Sequence, residues 1–262
     1  MSDEANMEPR KALFILAITK DIMLDSAICD LIDNSINAAK KLSKFKSLKG
    51  YRVDLYIGQK NNDKYDFVIK DNCGGIKRED AKNRAFTLGN DFIDNKLGFG
   101  IGMKRAIFKL ADEFLLESYT LDDKFKIQMD VNKWAKKPRW KTPIKENNSK
   151  ESLEPGVVIS ISKLNNKIEA ELLSKEFERR LINTIKINFE FILEAGFEIY
   201  FKGEKIQLDY KSNLSNWKET IKNKEYNYDK FVGFVIKTSS VVSPSQKTPG
   251  VFVKEEWLNL LF

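Results

Sequence analysis

The chain has 262 residues, 42% of them hydrophobic and 32% charged, with 45 Lys and Arg against 38 Asp and Glu for a net charge of +7. That composition fits a globular protein of one large domain, or one domain plus part of another, and no run approaches the roughly 20 apolar residues of a membrane helix. Histidine is absent, which removes a histidine phosphoacceptor, a Ser-His-Asp triad and His-ligated metal from this chain and leaves acid–base work to carboxylates, lysines or tyrosines.

The two cysteines, Cys29 in an apolar helical pattern and Cys73 in a glycine turn, suggest neither a disulfide framework nor a zinc site. Residues 1–10 are polar and acidic, unlike a secretory signal, so the expected compartment is the cytoplasm. Lysine is spread along the whole chain, which reads as a solvated basic surface or, less simply, as a nucleic-acid face.

In chain order, residues 22–42 predict a strong helix. Residues 51–59 and 65–71 alternate like strands around an Asn61-Asn62-Asp63 turn. A short helix is expected over 77–86, a polar loop over 87–96 and a helix over 101–112. A second hairpin spans 113–120 and 124–131 about Leu121-Asp122-Asp123. Residues 132–155, rich in Lys, Pro, Asn and Ser, read as a flexible insertion. A strand follows at 156–163, then a long helix over 168–195 stopped by Gly196. Residues 197–202 and 205–208 form another hairpin about Gly203-Glu204, and 231–237 a further strand. The apolar end, Trp257-Leu258-Asn259-Leu260-Leu261-Phe262, needs cover, so either the chain is a fragment or the tail packs on the domain or a partner. Helices and hairpins without a regular βαβ rhythm predict an α+β sandwich, its sheet mixed and mostly antiparallel, with helices packed on one face.

Three segments carry chemistry. On the first helix, Leu24, Ile28, Cys29, Leu31, Ile32, Ile36 and Ala39 sweep an apolar arc of roughly 200°, wider than the usual stripe of about 100°. Asp30, Asn34 and Asn37 occupy the remaining face at i, i+4 and i+7, with small Ala27 and Ala38 leaving room beside Asn34. Either this stripe faces water, or Asn34 offers a neutral oxygen to magnesium while Asp30 is a base for attack on a phosphate. Next, Asp71-Asn72-Cys73-Gly74-Gly75-Ile76 ends a strand. It is an ordinary Asx turn, or a place where the Asp71 carboxylate accepts the exocyclic amine of adenine while Gly75 allows close approach. Finally, Gly98, Gly100 and Gly102 alternate just before a helix, and Lys104 follows. Bare backbone N–H groups at a helix start make an anion cradle of the kind that takes phosphate. No Walker-type Gly-x-x-x-x-Gly-Lys-Ser/Thr run exists, and Met103 stands where a Rossmann fingerprint has its third glycine.

Together these segments resemble the ATP-binding domain of the GHKL superfamily, the Bergerat fold of gyrase-type topoisomerases, large heat-shock chaperones, histidine kinases, MutL and MORC proteins. Asp30-Leu31-Ile32-Asp33-Asn34 is similar to the family's Glu-x-x-x-Asn. Asp71-Asn72-Cys73-Gly74-Gly75 resembles Asp-x-Gly-x-Gly, and Gly98-Phe99-Gly100-Ile101-Gly102 resembles the glycine-rich end of the lid. Gly156-Val157 stands in for a Gly-Thr strand start.

The resemblance covers roughly residues 12–203 and implies ATP and Mg²⁺ as ligands. Contacts would come from Asn34 (also the metal ligand), Ala38, Asp71, Gly75, Ile76 and the run Gly98, Phe99, Gly100, Ile101, Gly102, Met103 and Lys104. It implies a catalytic role for Asp30, an ATP-binding domain over 1–203 with its lid at about 87–97, and a C-terminal extension, 204–262, that begins a second domain or is only a tail. Three departures stand out: Asp30 replaces the glutamate and is one methylene short, Cys73 replaces a glycine, and Val157 replaces the threonine.

The resemblance thus implies Mg-dependent ATP binding with slow hydrolysis, driving an ATP-gated conformational or dimerisation switch. It gives an ATP-dependent homodimer and a DNA or protein client as expected partners, is nearest in look to the MORC- and MutL-like branch, and implies no membrane. The alternatives are a nucleotide-binding regulatory module that does not hydrolyse, a chaperone-like ATPase acting on protein clients, and a histidine-kinase domain whose phosphoacceptor lies on another chain.

Overall fold

Period-two apolar patterning pairs most of the strands into one sheet. A computed structural model of the protein describes residues 9–44, 46–60, 64–87, 101–148, 154–208, 225–228 and 231–234. The chain divides into two compact units, residues 1–206 and 207–262. The second unit holds a two-stranded antiparallel sheet, Glu225–Tyr228 with Phe231–Phe234.

The first unit is built on eight strands: β1 (Arg52–Lys60), β2 (Lys64–Asp71), β3 (Ala111–Tyr119), β4 (Lys124–Asp130), β5 (Lys145–Glu146), β6 (Gly156–Leu164), β7 (Glu198–Phe201) and β8 (Glu204–Lys205). Their order is β5-β4-β3-β6-β2-β1-β7-β8. Only β1 and β7 run parallel, so the expected mixed, mostly antiparallel sheet is what forms. The registers align a buried row across six strands: Ile127, Leu116, Ile159, Ile69, Leu55 and Phe201. Successive side chains in a strand point to opposite faces. Phe67, Ile69 and Asp71 therefore share the inward face of β2, and a carboxylate arrives at the end of an apolar row.

Helices cover that row. In α2 (Leu24–Leu42), Ala27, Ile28, Leu31, Ile32, Ser35, Ile36 and Ala39 are buried, and the helix packs on α4 (Gly102–Leu110) and α7 (Lys175–Asn188). α7 buries Phe177, Leu181 and Ile185, one residue per turn.

Three local expectations need correction, and one segment without an assignment proves helical. The long helix over 168–195 is three pieces, α6 (Asn166–Leu172), α7 and α8 (Glu190–Glu194). Ser174 breaks it by capping α7, its hydroxyl accepting the Phe177 N–H at 3.1 Å. The helix expected over 101–112 ends at Leu110, because Ala111 is already extended and starts β3.

Residues 11–19, without an assignment above, form α1 (Lys11–Thr19), whose nearly all-apolar sequence has no periodicity to read. The expected flexible insertion 132–155 carries α5 (Val131–Lys136) and β5; residues 149–153 lie outside the described ones. Asp130 caps α5 by accepting the Lys133 N–H, and Val131 and Trp134 are buried. The buried Lys11 ammonium ties this segment to α1 by donating to the carbonyls of Trp134 (3.1 Å), Lys137 (2.6 Å) and Arg139 (2.6 Å).

The 77–86 helix forms as α3 (Arg78–Asp80) running into one π-helical turn, Ala81–Ala85. Among the described residues no helix is long and apolar enough to cross a membrane.

Candidate nucleotide-binding site

The end of β2 and the middle of α2 meet where the apolar row gives way to Asp71. A small cavity of about 80 Å³ lies there. Of the residues singled out in the sequence, Asn34, Ala38, Asp71, Gly75, Ile76 and Met103 line it together. Leu31, Ser35, Ile69, Cys73, Val157 and Ile159 complete the lining. Leu31, Cys73 and Val157 belong to the motif segments without having been singled out as contacts, and Ser35, Ile69 and Ile159 belong to none. They enter because α2, β2 and β6 bring their inward faces to the same place.

Asp71 is the most constrained group. Its Oδ1 accepts the N–H of Cys73 at 2.8 Å and of Val157 at 3.2 Å, and its Oδ2 accepts the Ser35 hydroxyl at 2.8 Å. The Cys73 bond is an Asx turn, and the same residue lines the cavity. Burial pushes the carboxyl above the ordinary range, although its three hydrogen bonds pull the other way.

Glycines make this packing possible. A Cβ on Gly156 would lie 1.9 Å from the Asp71 carbonyl oxygen, and one on Gly75 (φ +73°) 2.2 Å from that of Tyr119. Only a residue without a side chain fits either place. Gly156-Val157, the weakest of the sequence motifs, thus touches Asp71 with both of its residues.

Asn34 donates its Nδ2 to the Asp30 carbonyl at 2.7 Å, which leaves the amide oxygen as the atom that can bind a ligand. Asp30 itself is outside the cavity lining. Its Oδ2 accepts from Arg105 Nε at 3.0 Å and Nη2 at 2.6 Å. A Cβ on Gly102 would stand 3.6 Å from Asp30 Cβ, so the start of α4 sits directly over the carboxylate. Arg105 is a functional candidate that the motif reading missed; its only signal is its place one turn into the helix that follows the glycine run.

Lys104 is not brought to this cavity. It is buried, and its ammonium donates to the Thr87 carbonyl at 3.0 Å on the other side of α4. Ile101 and Gly102 form the entry to α4, whereas Gly98, Phe99 and Gly100 lie outside the described residues, as does the expected lid beyond Thr87.

The family model for histidine kinase-, DNA gyrase B- and HSP90-like ATPases matches residues 22–166. The chain belongs to this family. The match runs from the start of α2 to the start of α6 and takes in every strand and helix that meets the cavity. A histidine kinase-, gyrase B- and HSP90-like domain is an ATP-binding domain of ATPase type, and its α+β fold is the one described above. No curated protein sequence matches the chain.

Proposed function

We propose that the cavity receives the adenine of ATP, with Asp71 accepting the exocyclic amine, and that the triphosphate extends from it to the N-terminus of α4. One observation carries this reading: Asp71 and Asn34, far apart in sequence, line a single cavity with Gly75 and Met103. The apolar walls from Leu31, Ile69, Met103 and Ile159 suit a flat base, and one ionised acceptor among them suits its amine. The nine residues of α4 leave unpaired N–H groups and a partial positive charge at its start.

Magnesium fits the donors present. It takes oxygen ligands, keeps several waters and is held by one or two side chains plus phosphates, and the amide oxygen of Asn34 is such a ligand. When bound, the ion would neutralise charge on the phosphates. Asp30 is the proton acceptor for water in this reading. Arg105 holds one of its oxygens, leaving Oδ1 for the proton. A carboxylate one methylene short and tethered in this way supports slow turnover. ATP then acts as the ligand that favours one of two states of the protein, with pairing of two protomers as the change it drives. The +7 net charge favours nucleic acid over a protein client as the surface acted on.

Calorimetry with a non-hydrolysable ATP analogue and Mg²⁺ tests the site. One site per chain is expected, with affinity falling when Mg²⁺ is chelated. Asp71→Asn should weaken binding about 10- to 100-fold, the worth of a hydrogen bond to a charged group. Unchanged affinity in that variant would remove the reading. A second reading, a nucleotide-binding module that does not turn over, is favoured by the same Arg105–Asp30 pair. A hydrolysis assay separates the two: turnover that Asp30→Asn abolishes without loss of affinity selects the enzyme, and binding without turnover selects the module.

A further inference from the structure

On the opposite side of α4 lies a much larger cavity, of about 640 Å³. Met103 lines the nucleotide cavity, whereas Lys104, Ile107 and Phe108 line this one, so a single helix is the wall between them. Six aromatic rings line it. Phe108 stacks on Trp134 with centroids 5.6 Å apart, Trp134 meets Trp140 edge-on at 5.6 Å, and Phe14 meets Trp140 edge-on at 5.4 Å. The Lys11 ammonium, 4.4 Å from the centre of the Trp134 ring, holds that ring in place.

Two features point to a ligand. First, the charged side chains of the described lining are Lys82, Lys104 and Lys141, with no carboxylate among them. Second, the indole N–H of Trp134 and the hydroxyl of Thr142, both in the lining, are buried and without a hydrogen-bond partner among the described residues. Trp134 is only 8% exposed. Native proteins leave few such groups unmatched, and each one in a structure asks for an explanation. Acceptor groups on a bound molecule, reached by a small shift of the rings, would satisfy each of them.

We propose that this cavity is a second ligand site, for a small organic anion with a flat aromatic body. The rings take the body, the lysines take the charge, and Trp134 and Thr142 donate to the acid group or to another acceptor on the molecule. The site does not depend on how the nucleotide cavity is read.

The test uses 2-naphthoate and its neutral counterpart 2-naphthamide as probes, titrated calorimetrically into the full chain. One naphthoate site per chain is expected, about tenfold tighter than the amide because its hydrogen bonds are charge-assisted. The double variant Lys82→Gln/Lys141→Gln, changed at lysines outside the nucleotide cavity, should lose that preference. Trp134→Phe keeps a ring and removes the N–H, and should weaken naphthoate several-fold. Asp71→Asn should leave naphthoate binding unchanged while weakening the ATP analogue, which keeps this proposal and the nucleotide reading separately testable. The proposal is overturned by no naphthoate binding up to about 1 mM, by more than one site, by equal affinity for acid and amide, or by loss of naphthoate binding in Asp71→Asn. If Trp134→Phe does not fold, the lysine variant and the acid–amide comparison decide.

Discussion

Asp71 shows how one residue serves two ends. Its Oδ1 closes the turn and fastens β6 through Val157, and its Oδ2 fastens α2 through Ser35. What remains of the carboxylate's acceptor capacity is greatest for a ligand amine while the group is ionised. Burial raises its pKa, so acid protonates it above the roughly 3.9 of an exposed aspartate. Affinity for the ATP analogue is therefore expected to be full near neutral pH and to fall as pH drops, earlier than an unperturbed carboxylate would require. A titration of affinity against pH checks this, and a profile flat down to the ordinary carboxylate range would contradict it.

Arg105 poses a second residue-scale question. Its guanidinium makes two bonds to one oxygen of Asp30, geometry that a lysine cannot reproduce. If Asp30 is the base, Arg105→Ala should lower turnover by about ten- to a hundredfold through misplacement. Affinity should change little, and Arg105→Lys should rescue little. The pair is partly exposed, so its loss should cost the fold no more than about 1 kcal/mol.

At the scale of elements, the site depends on strand ends meeting without side chains between them. Gly156 on β6 lies against the last residue of β2, and Gly75 lies against the last residue of β3. Gly156→Ala would force backbone apart and is expected to destabilise by about 3 kcal/mol or more. In a unit of this size that lowers Tm by roughly 6–12 °C, and the displaced Asp71 should bind the ATP analogue poorly. Thermal unfolding read beside calorimetry checks both effects.

The same scale shows what patterning could and could not reveal. Strict alternation marked β1, β2 and β6 clearly. The polar stripe of Asp30 and Asn34 was visible because α2 otherwise buries its apolar positions. The break at Ser174 was hidden, because a serine inside an apolar helical period reads as a tolerated residue until its capping bond is seen. α1 gave no periodic signal at all, and the polar composition of 132–155 concealed a buried Trp134, its edge-on contact with Trp140, and Ile144 packed on the core.

At the scale of the molecule, a ligand that binds only the folded chain stabilises it. With Mg²⁺ and ATP analogue at a hundredfold over Kd, the gain is about 2.7 kcal/mol. A Tm rise of roughly 5–10 °C is expected, and a clearly smaller one in Asp71→Asn at the same ligand concentration. The cysteines report on the same folded state. Cys29 and Cys73 are 4% and 2% exposed, and burial pushes the Cys29 thiol up to about 12 and that of Cys73 higher than the ordinary value. Both should resist alkylation at neutral pH while the protein is folded, react once it is denatured, and react more slowly still with the ATP analogue bound.

The sequence by itself determined the family and the fold class. Short-range spacing on one helix, one strand end and one glycine run places its chemistry within a few residues, where local geometry is nearly obligatory. Only the tertiary structure decided which groups share a cavity. Ser35 and Val157 reach Asp71, Arg105 reaches Asp30, and Lys104 turns to the far side of α4, because those contacts depend on how sheet and helices pack. A linear pattern can show that a residue lies on a face, but packing determines what that face meets.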